Sequence, residues 1–176
     1  LLLAVGTTVT GCDTHPGLVG ARLRMRGVRI SEGQDPAHIT PNLAAVITTA
    51  AVPADHPELL AARAAKVPVL KRAHALGALV NDGTVLADAG THGNTTTTAM
   101  TTTILAEAGL RPTGFVGGRV PGWNSGLLLG GNELFVLEAD EYDRSFHTLR
   151  PTVALVTTIE ADHLDIYGSL EAVEEA

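Results

Sequence analysis

The chain has 176 residues, 45% of them hydrophobic, and a formal net charge of −7. This length is enough for one full core or two small ones, and the acidic balance argues against a nucleic-acid partner. The single cysteine, Cys12, excludes an internal disulfide and predicts a reducing, cytoplasmic compartment. The apolar start, Leu1 to Val5, is too short for a signal peptide or a membrane span, so no membrane association is expected.

The first half of the chain alternates strand and helix signals, a pattern that predicts a mainly parallel sheet flanked by helices. The strand signals are Thr8 to Gly11, Val28 to Ile30, Leu43 to Thr48 and Val67 to Leu70. The helix signals are Gly17 to Met25, Glu58 to Ala65, and a turn or two over Lys71 to Leu76.

The second half continues the same α/β pattern after a turn signal, Asn81-Asp82-Gly83, which predicts a domain boundary near residue 80. Two domains are therefore expected, 1–80 and 81–176. The first residues are typical of the last turn of a helix, and a helix signal that begins near Ser169 continues to the last residue. Both ends of the chain are therefore expected to lie inside longer elements. The strand signals of this half are Thr84 to Ala87, Gly114 to Val116, Leu134 to Leu137 and Val153 to Thr157, the last expected to be buried.

The most informative segment, Ala89 to Thr98, has the form of a phosphate-binding loop that opens a helix. Gly90 and Gly93 permit tight turns, and a helix N-terminus behind such a turn aims several backbone N–H groups at one anion. The hydroxyl of Thr95 is placed to reach a magnesium ion. The glycines alone are more typical of an ordinary strand–helix connection, but threonine is a mediocre helix former, so four in succession favour local hydrogen bonding or ligand contact.

The helix after this loop is predicted over Thr95 to Ala108, with Gly109 as its stop signal. Its apolar side is expected to carry three residues, Met100, Ile104 and Leu105.

Two acidic clusters follow predicted strands, at 138–143 and at 160–165. Ligands bind at the carboxyl ends of strands in open α/β sheets, and like charges gather at a cost unless a cation is bound. A shared magnesium–nucleotide site is therefore expected, with oxygen ligands preferred. A solvated acidic loop is the alternative for the first cluster, and a purely structural histidine is the alternative for His163. The glycine-rich segment before Asn124 is typical of a flexible loop, and Asn124 is a candidate for holding a polar substrate group.

Three ordered motifs of this sequence resemble the Mur ligases, and the resemblance spans nearly all of the chain. They are Gly90-Thr91-His92-Gly93 followed by Thr95 to Thr98, Glu138-Ala139-Asp140-Glu141, and Glu160 to Asp165 followed by Tyr167-Gly168. The resemblance implies a partial Rossmann-like UDP-sugar-binding domain followed by a partial P-loop-type ATP-binding domain. The opening strand of the first domain and a whole third domain of the family are then absent from this chain.

The resemblance also implies a reaction, the ATP-dependent joining of L-alanine to UDP-N-acetylmuramate through an acyl phosphate, with Mg²⁺ and in peptidoglycan precursor synthesis. It implies nucleotide binding by Gly90, Thr91, His92, Gly93, Asn94, Thr95 and Thr96. Thr95, Glu138 and His163 would be metal ligands, His92 and Asn124 would face the sugar substrate, and Asn94, Glu138 and His163 would carry catalysis. His92 favours the family members that use L-alanine or that recycle muropeptides, so a tripeptide remains an alternative joined group.

Two departures from the family pattern bear on activity. Asn94 stands where the family has lysine, and the normally apolar strand before the loop runs into Asp88. Both changes make the loop more negative, and a unit charge at about 4 Å is worth ~4 kcal/mol at an effective dielectric near 20. Two hypotheses follow: an inactive piece of an amide-forming ligase, or a non-catalytic nucleotide-binding or scaffold protein of the same fold.

Overall fold

The computed structural model describes residues 1–123, 125–139, 142–161 and 167–175. The chain forms two compact units, residues 1–72 and 73–176. The division therefore lies a few residues before the turn at Asn81 that the sequence suggested as a domain boundary.

The first unit contains two pairs of parallel strands with helices between them. Strand β1 pairs with β2 and strand β3 pairs with β4. Its elements in chain order are β1 (Thr10–Asp13), α1 (Gly17–Met25), β2 (Arg29–Glu32), a 3₁₀ helix (Pro36–His38), β3 (Val46–Thr48), α2 (Pro57–Ala64) and β4 (Val69–Lys71). Helix α2 begins with proline at its first position, where the missing N–H is not needed, and His56 caps it by accepting the N–H of Glu58.

The second unit is built on a five-stranded sheet in the order β7-β6-β8-β5-β9, parallel except for the β6–β7 pair. This confirms the predicted α/β class with mainly parallel sheets. Its elements are α3 (Arg72–Val80), β5 (Thr84–Ala89), α4 (Asn94–Glu107), β6 (Thr113–Phe115), β7 (Leu127–Leu128), β8 (Leu134–Glu138), a 3₁₀ helix (Tyr142–Thr148), β9 (Val153–Val156) and α5 (Leu170–Glu174).

The core of the second unit lies around the two central strands, β5 and β8. Its fully or nearly fully buried members are Val80, Val85, Ala87, Phe135, Leu137 and Ala139. Each buried aliphatic side chain contributes about 1.5–3 kcal/mol to folding through removal from water. This burial stabilises β5 and β8, which carry the candidate site residues at their carboxyl ends. No helix in the described ranges combines the length and apolarity needed to cross a bilayer.

The expected apolar side of α4 was wrong for two of its three residues, whereas the third, Leu105, is half-buried. Met100 and Ile104 are 58% and 63% exposed, whereas Thr98 and Thr102 are fully buried. The buried hydroxyls donate to carbonyls one turn back in the same helix, at 2.9 Å and 2.7 Å, so burying them leaves no unsatisfied donor. Gly114 on β6 has no side chain and lets Thr102 approach the sheet, since a Cβ there would lie 2.4 Å from its Cγ2.

The expected burial of the strand at Val153 was also wrong. Strand β9 lies at the edge of the sheet, paired with β5, and Val153, Leu155 and Val156 are 44–57% exposed within the described part of the chain. Apolar composition identified the strand but could not distinguish an edge from a central position.

Candidate functional site

The loop between β5 and α4 is a left-handed turn held at the carboxyl end of a central strand. Gly90 has φ +127° and Gly93 has φ +86°, a region that side chains other than glycine rarely adopt. A Cβ on Gly90 would lie 2.3 Å from the hydroxyl oxygen of Thr157 and 2.8 Å from the carbonyl oxygen of Thr158. The glycine is therefore required both by the turn and by the close approach of the segment that follows β9.

Two threonines after β9 fix this loop in place. Thr158 accepts the N–H of Thr91 on its carbonyl oxygen at 3.0 Å and the N–H of His92 on its hydroxyl at 3.1 Å. Thr157 donates its hydroxyl to the carbonyl oxygen of His92 at 2.6 Å. These contacts engage the backbone N–H groups of Thr91 and His92 within the protein itself.

Thr95 and Glu138 come together at the start of α4, as the sequence predicted. The Thr95 hydroxyl donates to Oε1 of Glu138 at 2.5 Å, and the backbone N–H of Gly117 donates to Oε2 at 2.6 Å. Gly118 lies against the methyl group of Thr95, at 3.3 Å from an ideal Cβ position. Gly117, in a segment that had only a flexible-loop interpretation from sequence, thus orients the carboxylate.

The donor set of Thr95 and Glu138 fits a magnesium ion. Both groups offer oxygen, the ligand type that Mg²⁺ prefers, and adjacent ligands in an octahedron at 2.0–2.1 Å lie about 3 Å apart. The observed separation of 2.5 Å needs only a small opening to reach that spacing.

Asn94 uses its side chain within the helix start. Its Oδ1 accepts the backbone N–H of Thr95 at 2.7 Å. This is one of the N-terminal donors that would otherwise be available to a phosphate oxygen. Asn94 therefore places a competing acceptor on an anion-binding donor.

Asp88 is a buried acid directly below the loop. It is 4% exposed, and its Oδ2 has no hydrogen-bond partner among the described residues. Burial raises the pKa of the Asp88 carboxyl above its ordinary value, and the nearby Thr98 hydroxyl offsets part of this. The one proton of that hydroxyl is donated to the carbonyl oxygen of Asn94 at 2.9 Å, so burial dominates and the pKa of Asp88 is raised.

The remaining site predictions separate into two groups. His92 is exposed at the rim, with Nε2 3.8 Å from a carboxylate oxygen of Glu160, and Thr96 is exposed on the first turn of α4. Asn124 and His163 lie outside the described residues. The proposed roles of all these residues remain predictions. Thr157 and Thr158 were not predicted as site residues. Two hydroxyl side chains directly after a strand could have indicated a contact with the loop.

A glycine turn at the carboxyl end of a parallel strand, a helix start behind it and a carboxylate beside the first threonine define a nucleotide-binding α/β domain. Comparison of family profiles identifies the family. Residues 1–84 match the Mur ligase family, catalytic domain, and residues 89–176 match the Mur ligase middle domain. The chain belongs to the Mur ligase family.

Relatives and solved structures agree with this assignment. The UDP-N-acetylmuramate–L-alanine ligase of Leptothrix cholodnii is 46% identical over 168 residues, covering 96% of this chain and 36% of the relative. The crystal structure of UDP-N-acetylmuramate-alanine ligase from Thermotoga maritima superposes with a TM-score of 0.88 at 30% identity, covering 99% of this chain and 41% of the other.

A third comparison is with a tripeptide ligase. The UDP-N-acetylmuramate:L-alanyl-gamma-D-glutamyl-meso-diaminopimelate ligase from Neisseria meningitides gives a TM-score of 0.85 at 28% identity, covering 99% of this chain and 60% of that structure. The curated relatives that match by sequence are longer, and the chain spans about a third of their length.

Proposed function

We propose that this chain is part of an ATP-dependent ligase that joins L-alanine to UDP-N-acetylmuramate in peptidoglycan precursor synthesis. The observation that carries the proposal is the hydrogen bond between Thr95 and Glu138. It places the start of α4, after the predicted phosphate-binding loop, next to the first acidic cluster. Sequence relatives at 43–46% identity are L-alanine ligases, which favours L-alanine as the joined group, whereas the solved alanine and tripeptide ligases, at 30% and 28% identity, do not separate the two.

The described residues would contribute by positioning charge, as in other phosphoryl transfers. The first turn of α4 would face the phosphates of ATP, and Thr95 and Glu138 would hold magnesium, which neutralises phosphate charge when bound. The sugar carboxylate would take the γ-phosphoryl group to give an acyl phosphate, and the amine of L-alanine would displace phosphate. His92 would face the sugar, as would Asn124, and His163 would serve a second metal.

We further propose that the 176-residue chain, with Asn94, does not turn over by itself. The support is the hydrogen bond from the Thr95 N–H to Asn94 Oδ1, together with the missing lysine charge. The same observation favours the second candidate, a non-catalytic nucleotide-binding or scaffold protein that keeps the fold. The domain boundaries 1–80 and 81–176 belong to this proposal, the first domain for the UDP-sugar and the second for ATP.

The deciding experiment measures ADP formation that depends on both UDP-N-acetylmuramate and L-alanine. It compares the 176-residue chain, the complete protein that contains it, and the complete protein with Asn94→Lys. We expect no turnover by the chain and a clear gain on restoring lysine in the complete protein. Turnover by the 176-residue chain would contradict its inactivity, and a complete Asn94→Lys protein that binds ATP without turnover would favour the scaffold.

A further inference from the structure

The first unit contains a cluster of three different metal-ligating side chains to which the proposed ligase reaction assigns no role. Cys12 lies near the end of β1, His38 ends the 3₁₀ helix after β2, and Glu58 is the second residue of α2. One ligand atom from each lies within 4.8 Å of the other two. The three residues are brought together by the fold alone, since they are 26 and 20 positions apart in sequence.

Glu58 is the centre of the cluster. It is 8% exposed, and its Oε1 accepts hydrogen bonds from the backbone N–H of Asp35 at 3.1 Å and from His38 Nδ1 at 2.8 Å. The Cys12 thiol donates to both of its carboxylate oxygens at 3.2 Å. These hydrogen bonds fix the carboxylate of Glu58 beside a thiol and an imidazole.

We propose that Cys12, His38 and Glu58 form a zinc-binding site. Sulfur, nitrogen and oxygen from these residue types are the ligands that Zn²⁺ takes, and a site with three protein ligands keeps a fourth position for water. Hard cations such as Mg²⁺ avoid thiolate, so this ligand set separates the site from the oxygen donors of the second unit.

The geometry needs little adjustment to hold the ion. Tetrahedral bonds of 2.0–2.3 Å place neighbouring ligand atoms about 3.3–3.8 Å apart, so rotations that move side-chain atoms by about 1 Å are enough. The Cys12 thiol proton passes to solvent, and the His38 proton moves to Nε2 so that Nδ1 faces the metal. Two negative ligands then balance the two positive charges of the ion, which makes the loaded site neutral and compatible with partial burial.

Bound zinc would link β1, the 3₁₀ helix and the start of α2. All three segments lie at the carboxyl ends of strands or directly after them, the edge of an α/β unit where ligands bind. Because such an ion binds the folded state and not the separated residues, its binding energy stabilises the fold. Bound zinc would therefore stabilise the first unit whether or not the proposed ligase reaction takes place.

The test uses the reduced, metal-free 176-residue chain titrated with Co²⁺, a spectroscopic substitute for zinc. We expect one equivalent to produce the near-ultraviolet thiolate-to-cobalt charge-transfer absorption. Equimolar Zn²⁺ should abolish it, and excess Mg²⁺ should not. Cys12 is the only cysteine of the sequence, so this absorption reports on that residue. Zinc should also slow alkylation of Cys12 at least about tenfold, because reagents attack the unbound thiolate.

Variants locate the other two ligands. Cys12→Ser keeps a donor to Glu58 and should remove the absorption, whereas His38→Gln or Glu58→Gln should weaken cobalt binding by at least about 10–100-fold, the loss typical even of outer-shell partners. His15→Gln, in the same unit but outside the cluster, is the control and should bind as the original chain does.

Absence of the charge-transfer absorption at stoichiometric Co²⁺ in the original chain would overturn the proposal. Cobalt binding without that absorption would do the same, because it would place the ion away from Cys12. An unchanged affinity on His38→Gln, in a variant whose circular dichroism matches the original, would remove His38 from the site and contradict the three-ligand assignment. The first two outcomes need no variant, so a substitution that prevents folding leaves the test intact.

Discussion

Asp88 and Glu138 occupy paired positions on the adjacent parallel strands β5 and β8, and both contact helix α4, through Thr98 and Thr95 respectively. The two carboxyl groups differ in the hydrogen bonds that their oxygens accept. Glu138 has a hydrogen bond to each of its oxygens, whereas Oδ2 of Asp88 has none among the described residues. One strand end thus holds an oriented carboxylate and the next holds a buried acid with a raised pKa.

The first prediction is that Asp88→Asn stabilises the chain at neutral pH. The substitution keeps the shape and removes a group whose ionised form is disfavoured by burial, and relief of a poorly satisfied buried group is worth about 1 kcal/mol or more. Urea denaturation at pH 7.5 measures the change in the free energy of unfolding. Asp82→Asn, in the exposed turn before β5, is the control and should stay within about 0.5 kcal/mol.

The pH dependence of that gain has a defined sign. Because the native pKa of Asp88 is raised above its unfolded value, ionisation destabilises the native state, fully so above the native pKa. As pH falls through the native pKa, the native carboxyl binds its proton and the penalty shrinks, and it vanishes below the unfolded pKa. The advantage of Asp88→Asn should therefore decline on acidification. A gain that is equal at pH 7.5 and at acid pH would contradict this account.

The second prediction concerns Gly90. Gly90→Ala should destabilise the chain by about 2–4 kcal/mol, because it adds a strained φ and a clash with Thr157 and the backbone of Thr158. Gly109→Ala is a matched control, since Gly109 also has positive φ but open space around the added Cβ, and it should cost about 1–2 kcal/mol. Equal losses in urea denaturation would show that the packing of the loop against the segment after β9 contributes nothing.

The third prediction isolates the hydroxyl of Thr95. Thr95→Val removes the donor to Glu138 and should cost about 1.5–3 kcal/mol, the range for a hydrogen bond to a charged group. Thr95→Ser should keep most of the stability. Thr103→Val is the control on the same helix, because the Thr103 hydroxyl donates to the exposed carbonyl of Ala99 in its own helix. Similar urea midpoints for Thr95→Val and Thr103→Val would contradict a specific contact.

The features that sequence predicted well are those fixed by local pattern. The strand–glycine–helix order gave the loop at Gly90, and helix α1 has the predicted bounds, Gly17–Met25. The meeting of Thr95 and Glu138 followed from one rule, that the carboxyl ends of parallel strands share an edge. Both residues lie within a few positions of such an end, so the prediction needed no long-range information.

The features that sequence missed depend on neighbours far along the chain. Burial of Thr102 depends on the bare backbone of Gly114, and exposure of Val153 depends on the edge position of its strand. The cluster at Cys12 joins residues from three elements, and no motif of short spacing in the sequence indicates it. Composition and periodicity report the local environment, whereas these features are set by which elements the fold brings together.

The fourth prediction is that Asn94→Lys improves binding of ATP in the presence of magnesium. A lysine would add one positive charge at the start of α4, where phosphates are proposed to bind, and would release the Thr95 N–H from the Asn94 side chain. A full charge contact at about 4 Å is worth ~4 kcal/mol at an effective dielectric near 20, part of which is lost to desolvation, so we expect a gain of about 10–100-fold in affinity by calorimetry. Asn132→Lys adds the same charge at an exposed position before β8, at the opposite ends of the strands, and should leave the affinity nearly unchanged. Equal gains from the two variants would mean that net charge, and not the start of α4, governs nucleotide binding.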